Sequence, residues 1–364
     1  FPISLAIPLL LGCGRANYAD HELEAHPGDT GPDDATAANV CQSPALQLFD
    51  AAVCVCGDLD EVGRLTVVGD IGVNGYSKLV ANAEVDGNWH AQLGLEGATW
   101  TSIDGDLTSA GQVSWVGDLA VAGDLSAMDV DGVGELEVVG AARVGGQFDV
   151  VGESAIGSEA DYAEPAGPPC GCDQPLDIAA AVAAASEHND NRAVGLPTTI
   201  EALGTESLTL ATGSYYLDSL AGVGELDLIV DGQVSLFVEG SIASVGAHSV
   251  TLVDGATLEL YVSGGIASVG ALELGTDPSA LRLYVGGDQE IELDGVGDGA
   301  IAGLIYAPEA TLSWVGDLQV HGAIFARDLD SVGDLEIVYV PADRGGDSCP
   351  PEDGDEDGET DPIE

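Results

Sequence analysis

Short runs of alternating apolar and polar residues, separated by glycines at a regular interval, occupy most of this chain. In the first half the glycines recur at a constant step of about 18 residues, at Gly69, Gly87, Gly105 and Gly123. The alternation, as in Leu65 and Val67, predicts β-strands with one buried face. A fixed period of this length predicts a solenoid, in which each circuit buries its apolar edge against the next one.

The first repeat tract is predicted to span residues 41–157. Gly-Asp pairs mark its corners, at Gly57-Asp58, Gly69-Asp70, Gly105-Asp106, Gly117-Asp118 and Gly123-Asp124. Because glycine adopts turn conformations that other residues avoid, these pairs fit the bends between three short strands of about six residues each. A Val-Gly pair keeps nearly the same step, at Val116-Gly117, Val133-Gly134 and Val151-Gly152.

A second repeat tract, predicted at residues 193–341, has a longer and looser period. Strands that end in glycine recur here at steps of roughly 24 residues, at Gly240, Gly264 and Gly287. The Val-Gly pair recurs as well, at residues 223–224, 245–246, 269–270, 296–297, 315–316 and 332–333. We expect this tract to form further circuits of a parallel β-helix.

Aromatic residues recur in phase with the second tract. Strand alternation places Leu258 and Leu260 inside and Tyr261 outside. Phe237, Tyr261 and Tyr284 are then expected to stack on one outer face. Such a ladder arises from packing of like residues between circuits, or it forms a platform for sugar rings. Both interpretations are open at the level of the sequence.

Residues 158–192 separate the tracts and are predicted to form a cysteine-containing linker with the one helix of the chain. The helix at residues 177–187 is rich in alanine and places Ile178, Val182 and Ala185 on one face. We expect it to cap an open end of the solenoid, because terminal repeats need a cover. The polar residues that follow, at 188–192, are typical of the turn in which a helix ends. A metal centre is the alternative.

Together these patterns predict an all-β fold: a right-handed parallel β-helix in two repeat tracts, with one capping α-helix. The composition agrees, since 45% of the residues are hydrophobic but only 5% are aromatic, and 51 are glycine. Small and β-branched side chains with glycine at the corners suit tightly stacked strands.

The charge is strongly acidic, with 63 acidic and 8 basic residues and a formal net charge of −55 at pH 7. Nucleic-acid binding is excluded, because it depends on Lys and Arg that neutralise phosphates. Repulsion of this size favours surroundings in which cations screen the carboxylates. We therefore expect divalent ions such as calcium to stabilise the fold and to bridge neighbouring molecules.

The N-terminal residues have features of export. Residues 1–12 are apolar, shorter than a membrane-spanning helix, and fit a truncated export signal. The string that ends in Gly12-Cys13 resembles a bacterial lipobox, which implies lipidation at Cys13 and an anchor in the outer membrane or at the cell surface. An ordinary signal with an incidental cysteine is the alternative. Residues 13–40 are predicted to be a flexible tether.

Six further cysteines follow, at Cys41, Cys54, Cys56, Cys170, Cys172 and Cys349. An even number in an exported chain predicts disulfides. Each of the two CxC motifs places both thiols on one side of an extended strand, where pairing within the motif is strained. Pairing between the two motifs is therefore favoured, and a four-thiolate zinc site is the alternative.

Residues 342–364 form an acidic segment whose composition is typical of a disordered tail. Its oxygen-bearing side chains have the spacing of an EF-hand-like calcium loop, at Asp353, Asp355, Asp357, Glu359, Asp361 and Glu364. These residues are a candidate calcium site, and a solvated tail without a specific site is the alternative.

In its Gly-Asp corners and its circuits of constant length, the first tract resembles the bactofilins, a family of triangular β-helices that polymerise end to end. The second tract resembles an uncharacterised β-helical domain of exported bacterial proteins, some of them linked to type IV pilus assembly. Residues 303–312 and 322–327 underlie this second resemblance, with Cys170, Cys172 and the alanine-rich helix upstream. It implies a parallel β-helix at the cell envelope, without known catalytic residues.

The chain has no Ser-His-Asp order, Walker loop or HExxH motif, and its few basic residues do not cluster as a polysaccharide lyase requires. We therefore expect a non-enzymatic, lipid-anchored cell-envelope protein with a structural, scaffold or adhesive role, and no cofactor other than calcium. Its expected partners are the membrane, further copies of itself, or envelope polysaccharide. A carbohydrate-active β-helix enzyme, either a hydrolase or a lyase, is the alternative.

Overall fold

Parallel strands stacked in successive coils make up most of the structure. The computed structural model describes residues 49–80, 82–163, 167–173, 175–286 and 291–341. The strands form one parallel β-solenoid of about 14 turns. The prediction of an all-β, parallel β-helix is therefore confirmed.

The first tract contributes strands β1 to β13: β1 Val53–Val55, β2 Leu59–Val68, β3 Ile71–Val73, β4 Tyr76–Leu79, β5 Asn82–Asp86, β6 Trp89–Ala91, β7 Gly94–Ile103, β8 Leu107–Ser109, β9 Gln112–Val121, β10 Leu125–Ala127, β11 Asp129–Val144, β12 Phe148–Val151 and β13 Ser154–Glu159. Two helices follow, α1 Ile178–Glu187 and α2 Asn191–Val194. The second tract contributes strands β14 to β23: β14 Thr199–Leu217, β15 Ser219–Val238, β16 Ile242–Leu252, β17 Thr257–Val262, β18 Ile266–Val269, β19 Leu272–Leu274, β20 Leu281–Val285, β21 Ile291–Val296, β22 Gly299–Val315 and β23 Leu318–Tyr339.

The two tracts stack on a common axis, and their order along the stack is the reverse of their order in the chain. The last strand, β23, pairs in register with β1 and β2 at the start of the first tract, so that Leu329 faces Leu59. We call this junction the seam. Within the described residues, the two ends of the stack are β14, which pairs only with β15, and β13, which pairs only with β11. The described chain therefore starts at the seam and winds through the first tract to one end of the stack. It then crosses along the outside to the other end and winds through the second tract back to the seam.

Residues 161–163, 167–173 and 175–198, which we call the crossover segment, make this return along the side of the stack. Helix α1 begins after Asp177, whose side chain accepts a hydrogen bond from the Ala180 N–H at 2.8 Å. The helix lies against β14, β15 and β17. Its buried face consists of the residues predicted from the sequence, Ile178, Val182 and Ala185.

The prediction that this helix caps an open end of the solenoid is wrong. The helix runs lengthwise over the side of the second tract, where Ile178 contacts Gly286 and Ala185 joins the same apolar cluster as Tyr216. The physical reason is a row of aromatic rings that points outward from this side. Those rings need an apolar cover, and α1 supplies it.

Rows of like side chains fill the interior of the coils. One row crosses the seam through Leu312, Leu329 and Leu59, each 1% exposed. Each residue of a row packs on its register partner in the next coil, about 4.8 Å away. The core is therefore continuous through the seam, and burial of its apolar surface stabilises the stack by about 25 cal/mol per Å².

Candidate functional surfaces

Two disulfides attach the crossover segment to the first coil of the seam. Cys54 is bonded to Cys170 and Cys56 to Cys172, with Cα–Cα distances of 5.7 and 5.8 Å. The pairing between the two CxC motifs that the sequence favours is therefore the one observed. Among the described residues, no three His, Cys, Asp or Glu side chains are grouped in a way that holds a metal ion.

Asn74 positions the crossover segment beside these disulfides. Its side-chain amide donates to the Cys170 carbonyl at 3.0 Å, and its side-chain oxygen accepts from the Cys170 N–H at 2.9 Å. Gly72 leaves the necessary room, since a Cβ at this position would lie 3.0 Å from the Cys170 Sγ. The sequence around Asn74 is typical of a turn, which is why sequence reasoning did not identify this docking role.

The outward aromatic residues of the second tract form a stacked ladder. The ring centroids of Phe237 and Tyr261 are 4.7 Å apart, and those of Tyr261 and Tyr284 are 4.6 Å apart, with nearly parallel planes. The ladder continues through Tyr306 and Phe325. The predicted stacking is therefore confirmed.

The crossover segment covers much of this ladder. Tyr284 and Tyr306 are 5% and 1% exposed, in one apolar cluster with Ile178 and Val182. Burial raises the pKa of Tyr284 to about 12, and the Tyr306 hydroxyl accepts the Leu176 N–H at 3.0 Å. This part of the ladder is thus a packing surface for the crossover segment and is closed to sugar rings.

The polar run after α1 attaches the crossover segment to β14. The Asn191 side chain donates to the Tyr216 carbonyl at 2.6 Å and accepts from the Tyr216 N–H at 2.9 Å. Asp190 accepts from the Ser214 N–H at 2.9 Å, and its own N–H donates to the Ser214 carbonyl at 2.7 Å. These contacts give Asp190 and Asn191 a structural role at the helix exit.

The Gly-Asp corners of the first tract form a ladder of side-chain to backbone hydrogen bonds. The side chains of four successive corners each accept a backbone N–H of the next coil at 2.7 to 2.9 Å, namely Asp70, Asn88, Asp106 and Asp124. The Ala141 N–H and the Arg143 guanidinium hold the pKa of Asp124 below its usual range. Aspartate follows glycine at these corners because its carboxylate pairs with an N–H of the bend.

Four carboxylates lie on adjacent coils across the seam. Asp60 and Asp330 are register partners, and the Asp58 N–H donates to the Asp328 carboxylate at 3.1 Å. The Lys78 ammonium lies 3.9 Å from Asp58 and 3.7 Å from Asp60. Burial, followed by the charges of the other three carboxylates, raises the pKa of Asp330. A carboxylate pair with one raised pKa is also the arrangement that glycoside hydrolases use.

One acidic side chain lies inside the solenoid, at the seam. Glu61 is 1% exposed, and neither of its carboxylate oxygens has a hydrogen-bond partner. Burial raises its pKa to about 8, and the Asp334 charge adds to the rise. Glu61 is therefore protonated at neutral pH. The polar run around it in the sequence does not distinguish it from an outward residue.

The interior of the second tract contains an apolar cavity of about 90 Å³. Its walls include Leu228, Leu236 and Leu260, together with His248, whose Nε2 has no hydrogen-bond partner. Burial lowers the pKa of His248, which favours the neutral imidazole. The cavity is smaller than the roughly 150 Å³ that accommodates benzene, so it is too small for a sugar ring.

Several candidate residues from the sequence lie outside the described part of the chain. They are the lipidation site Cys13, the cysteines Cys41 and Cys349, and the calcium-loop residues Asp353, Asp355, Asp357, Glu359, Asp361 and Glu364.

Residues 172–344 are similar to a domain of unknown function (DUF7305). The matched span contains α1 and the complete second tract, and the first tract lies outside it. No curated protein and no solved structure matches the chain. In the described ranges, no helix has the length and apolar character needed to cross a membrane.

Proposed function

We propose that this protein is a non-enzymatic structural protein of the bacterial cell envelope, an exported rod with a lipid anchor at Cys13 and a scaffold or adhesive role. The seam is the main support. The second tract in the chain lies before the first tract along the stack. Ten register pairs between β2 and β23 join the two tracts into one continuous stack. An architecture of this kind gives a long, stiff body with regular sides, which suits a scaffold.

The crossover segment supports the same role, because it connects both halves of the rod. Its disulfides hold it to β1 of the first tract, and its helix covers the second tract. Bending at the seam would require these contacts to separate as well as the strands. The segment therefore adds resistance to bending at the junction between the tracts.

The disulfides also bear on location. Two cystines indicate an oxidising, exported environment. A net charge of −55 repels anionic lipid headgroups, so attachment to a membrane requires something other than surface charge. A lipid on Cys13 meets that requirement.

The anchor is tested by fractionation of cells that express the full chain with its export signal. We expect the wild-type protein in the membrane fraction and Cys13→Ala in the aqueous fraction. Cys349→Ala is the matched control for loss of a cysteine and should remain with the membrane. Equal release of the wild type and Cys13→Ala would contradict the anchor.

The structural role is tested by electron microscopy of the purified protein together with activity assays. We expect rods of about 60 Å, since thirteen rungs lie about 4.8 Å apart. Rods joined into filaments would add self-association to the proposal. Globular particles would contradict it.

A polysaccharide hydrolase is the second candidate, and the carboxylates at the seam favour it. Two of the four carboxylates accept backbone hydrogen bonds, since Asp328 accepts the Asp58 N–H at 3.1 Å and Asp58 accepts the Tyr76 N–H at 2.8 Å. Asp330 and Asp60 are therefore the pair that a hydrolase would use. The test is release of reducing ends from acidic and neutral polysaccharides by the wild type and by Asp330→Asn. Turnover that disappears in Asp330→Asn would replace the structural proposal.

A further inference from the structure

An exposed apolar row runs along the whole described stack at one corner of each coil. We call it the valine stripe, and in spatial order it consists of Leu203, Val223, Val245, Val269, Val296, Val315, Val332, Val62, Val80, Ala98, Val116, Val133 and Val151. Apart from Ala98, these side chains are between 46% and 75% exposed. Thirteen rungs at about 4.8 Å give a stripe about 58 Å long.

The glycines of the Val-Gly pairs make this corner possible. The residue that follows the stripe residue in the chain adopts a positive φ in nearly every coil, for example 134° at Gly134 and 132° at Gly246. A Cβ at Gly134 would lie 1.7 Å from the Gly117 carbonyl oxygen of the coil below. At Gly134 only glycine lets the two coils approach this closely, and the bend that it forms turns the preceding valine out to solvent.

The valine stripe is not explained by the packing of this chain. Burying apolar side chains is favourable, yet twelve large ones stay exposed in one line on a protein that otherwise keeps its core closed. Scattered exposed valines are ordinary, but contiguous exposed apolar surface marks interaction sites on soluble proteins. The stripe continues across the seam through Val332 and Val62, so both tracts contribute to one surface.

Carboxylates flank the stripe on both sides. The residues that stand two positions before each stripe residue form a parallel row along the stack. The acidic members of this row are Glu201, Asp294, Asp330, Asp60, Glu96, Asp131 and Asp149. Two positions after it, exposed acids are Glu225, Asp298, Asp317, Asp334, Asp118, Glu135 and Glu153. Within these two rows the basic residues are Lys78 and Arg64.

The flanking charge selects the kind of partner. A second copy docked through the same stripe would bring acidic rows against acidic rows, and anionic lipid would be repelled for the same reason. A partner with an apolar line between lysine or arginine side chains is complementary to both features. An amphipathic helix meets this description, because its apolar face repeats once per turn of about 5.4 Å, close to the rung spacing.

We propose that the valine stripe is a binding surface for a cationic amphipathic helix, which lies along the corner of the rod with its apolar face on the valines. The centre of this surface is the second tract, where the stripe is widest. There Val245 has Ala243 and Ala247 beside it, and Val269 has Ala267 and Ala271. The carboxylates on the rungs above and below then pair with the basic residues of the helix.

The probe is a synthetic helical peptide of leucine and lysine, about 18 residues long, which spans about 27 Å. The comparison peptide has the same composition with its leucines distributed around the helix. Binding to the full-length protein is measured by fluorescence anisotropy in about 0.5 M sodium chloride, where the Debye length is well below 10 Å and simple charge attraction is screened.

The stripe variant is Val223→Thr/Val245→Thr/Val269→Thr, which keeps the β-branched shape and replaces three methyl groups with hydroxyls. The matched control is Val68→Thr/Val139→Thr/Val253→Thr, because these valines are 41%, 63% and 42% exposed and lie outside the stripe. Circular dichroism and the melting temperature check that both variants fold like the wild type.

We expect the amphipathic peptide to bind the wild type and the control variant equally, and the stripe variant with a Kd about tenfold higher. The comparison peptide should bind weakly to all three proteins. Equal binding to the stripe variant, or no binding to the wild type, would overturn the proposal. Sedimentation velocity and flotation with phosphatidylglycerol vesicles complete the test. Self-association or vesicle binding that the stripe substitutions abolish would assign the surface to another occupant and overturn the proposal as well.

This inference is independent of the anchor and of the structural role proposed above. A failed peptide experiment leaves the fractionation and microscopy results unaffected, and a released Cys13→Ala variant keeps the same stripe.

Discussion

The protonated carboxyl group of Glu61 makes the seam sensitive to pH in a way that can be measured. The perturbation is Glu61→Gln, which keeps the shape of the side chain and removes its ability to ionise. Because neither oxygen of Glu61 has a hydrogen-bond partner, the amide breaks no existing bond. Any change in stability that depends on pH therefore comes from the ionisation of Glu61.

The sign follows from the direction of the pKa change. In the folded protein burial raises the pKa of Glu61 from 4.5 to about 8, so the folded state keeps a proton that the unfolded state loses. The contribution of Glu61 to the free energy of unfolding is therefore highest below pH 4.5. It falls by about 1.4 kcal/mol per pH unit as the pH rises, and it levels off above pH 8.

The full difference, for a pKa that rises from 4.5 to about 8, is about 5 kcal/mol. At pH 7 the expected difference between Glu61→Gln and the wild type is about 3 kcal/mol in favour of the variant. Near pH 4 both side chains are uncharged, and we expect the two proteins to be equally stable to within about 1 kcal/mol.

The assay is urea-induced unfolding followed by circular dichroism, at intervals from about pH 4 to about pH 9. Many other carboxylates titrate over this range, so the quantity of interest is the difference between variant and wild type at each pH. Glu135→Gln is the matched control, because it removes one exposed carboxylate from the same solenoid. A constant difference between Glu61→Gln and wild type across the pH range would refute the reasoning, as would an equal slope for Glu135→Gln.

Three further predictions concern the crossover segment, one strained corner and the acidic surface. Both cystines close loops of the same sequence separation, 116 residues, so substituting both by serine should lower the free energy of unfolding by about 5 kcal/mol, whereas removing either one alone should cost much less, because the other bond keeps the loop closed; urea unfolding measures both, and equal losses for the two single removals that sum to the double loss would contradict this. Thr99 has a φ of 129°, at a position that glycine occupies in eleven of the other twelve coils, and we expect Thr99→Gly to raise the free energy of unfolding by about 1 kcal/mol, with a decrease as the contrary result. Calcium should raise the melting temperature more than sodium at equal ionic strength, because a calcium ion binds between neighbouring carboxylates among the 63 acidic residues, and identical melting curves in the two salts would exclude this effect.

Local repetition in the sequence was sufficient to predict the coils. The constant glycine step of the first tract reappears as register pairs, since Ile71 faces Val53 on one side and Trp89 on the other. The aromatic ladder follows from the same alternation, because Tyr261 and Tyr284 occupy equal positions in neighbouring strands. These properties depend on short segments, and a single sequence contains them.

The seam depends on contacts between distant segments, which is why the sequence did not reveal it. Leu65 and Val67 of β2 have the same alternation as Leu335 and Ile337 of β23, and so does nearly every other strand in the chain. Any exposed strand edge of this type can pair with another, and local pattern does not specify which edges meet. The burial of Glu61 follows from the seam and was hidden for the same reason.

The position of helix α1 was missed for a related reason. Its apolar face was predicted correctly, but the surface that it covers is set by distant residues. Gly286 leaves room for Ile178, as Gly72 does for Cys170, and in the sequence both look like ordinary corner glycines. The Val-Gly pairs recur visibly in the sequence, but the exposure of their valines depends on the positive φ of the following glycine, which the sequence alone does not give.

The seam also determines where anything joined to this rod is attached. The described part of the chain begins and ends there: the Tyr339 hydroxyl donates to the Phe49 carbonyl at 2.6 Å, at the level where seven rungs of the stripe lie to one side and six to the other. A segment added at residue 49 or after residue 341 therefore joins the stack near its middle, with about half of the stripe on either side of the attachment point.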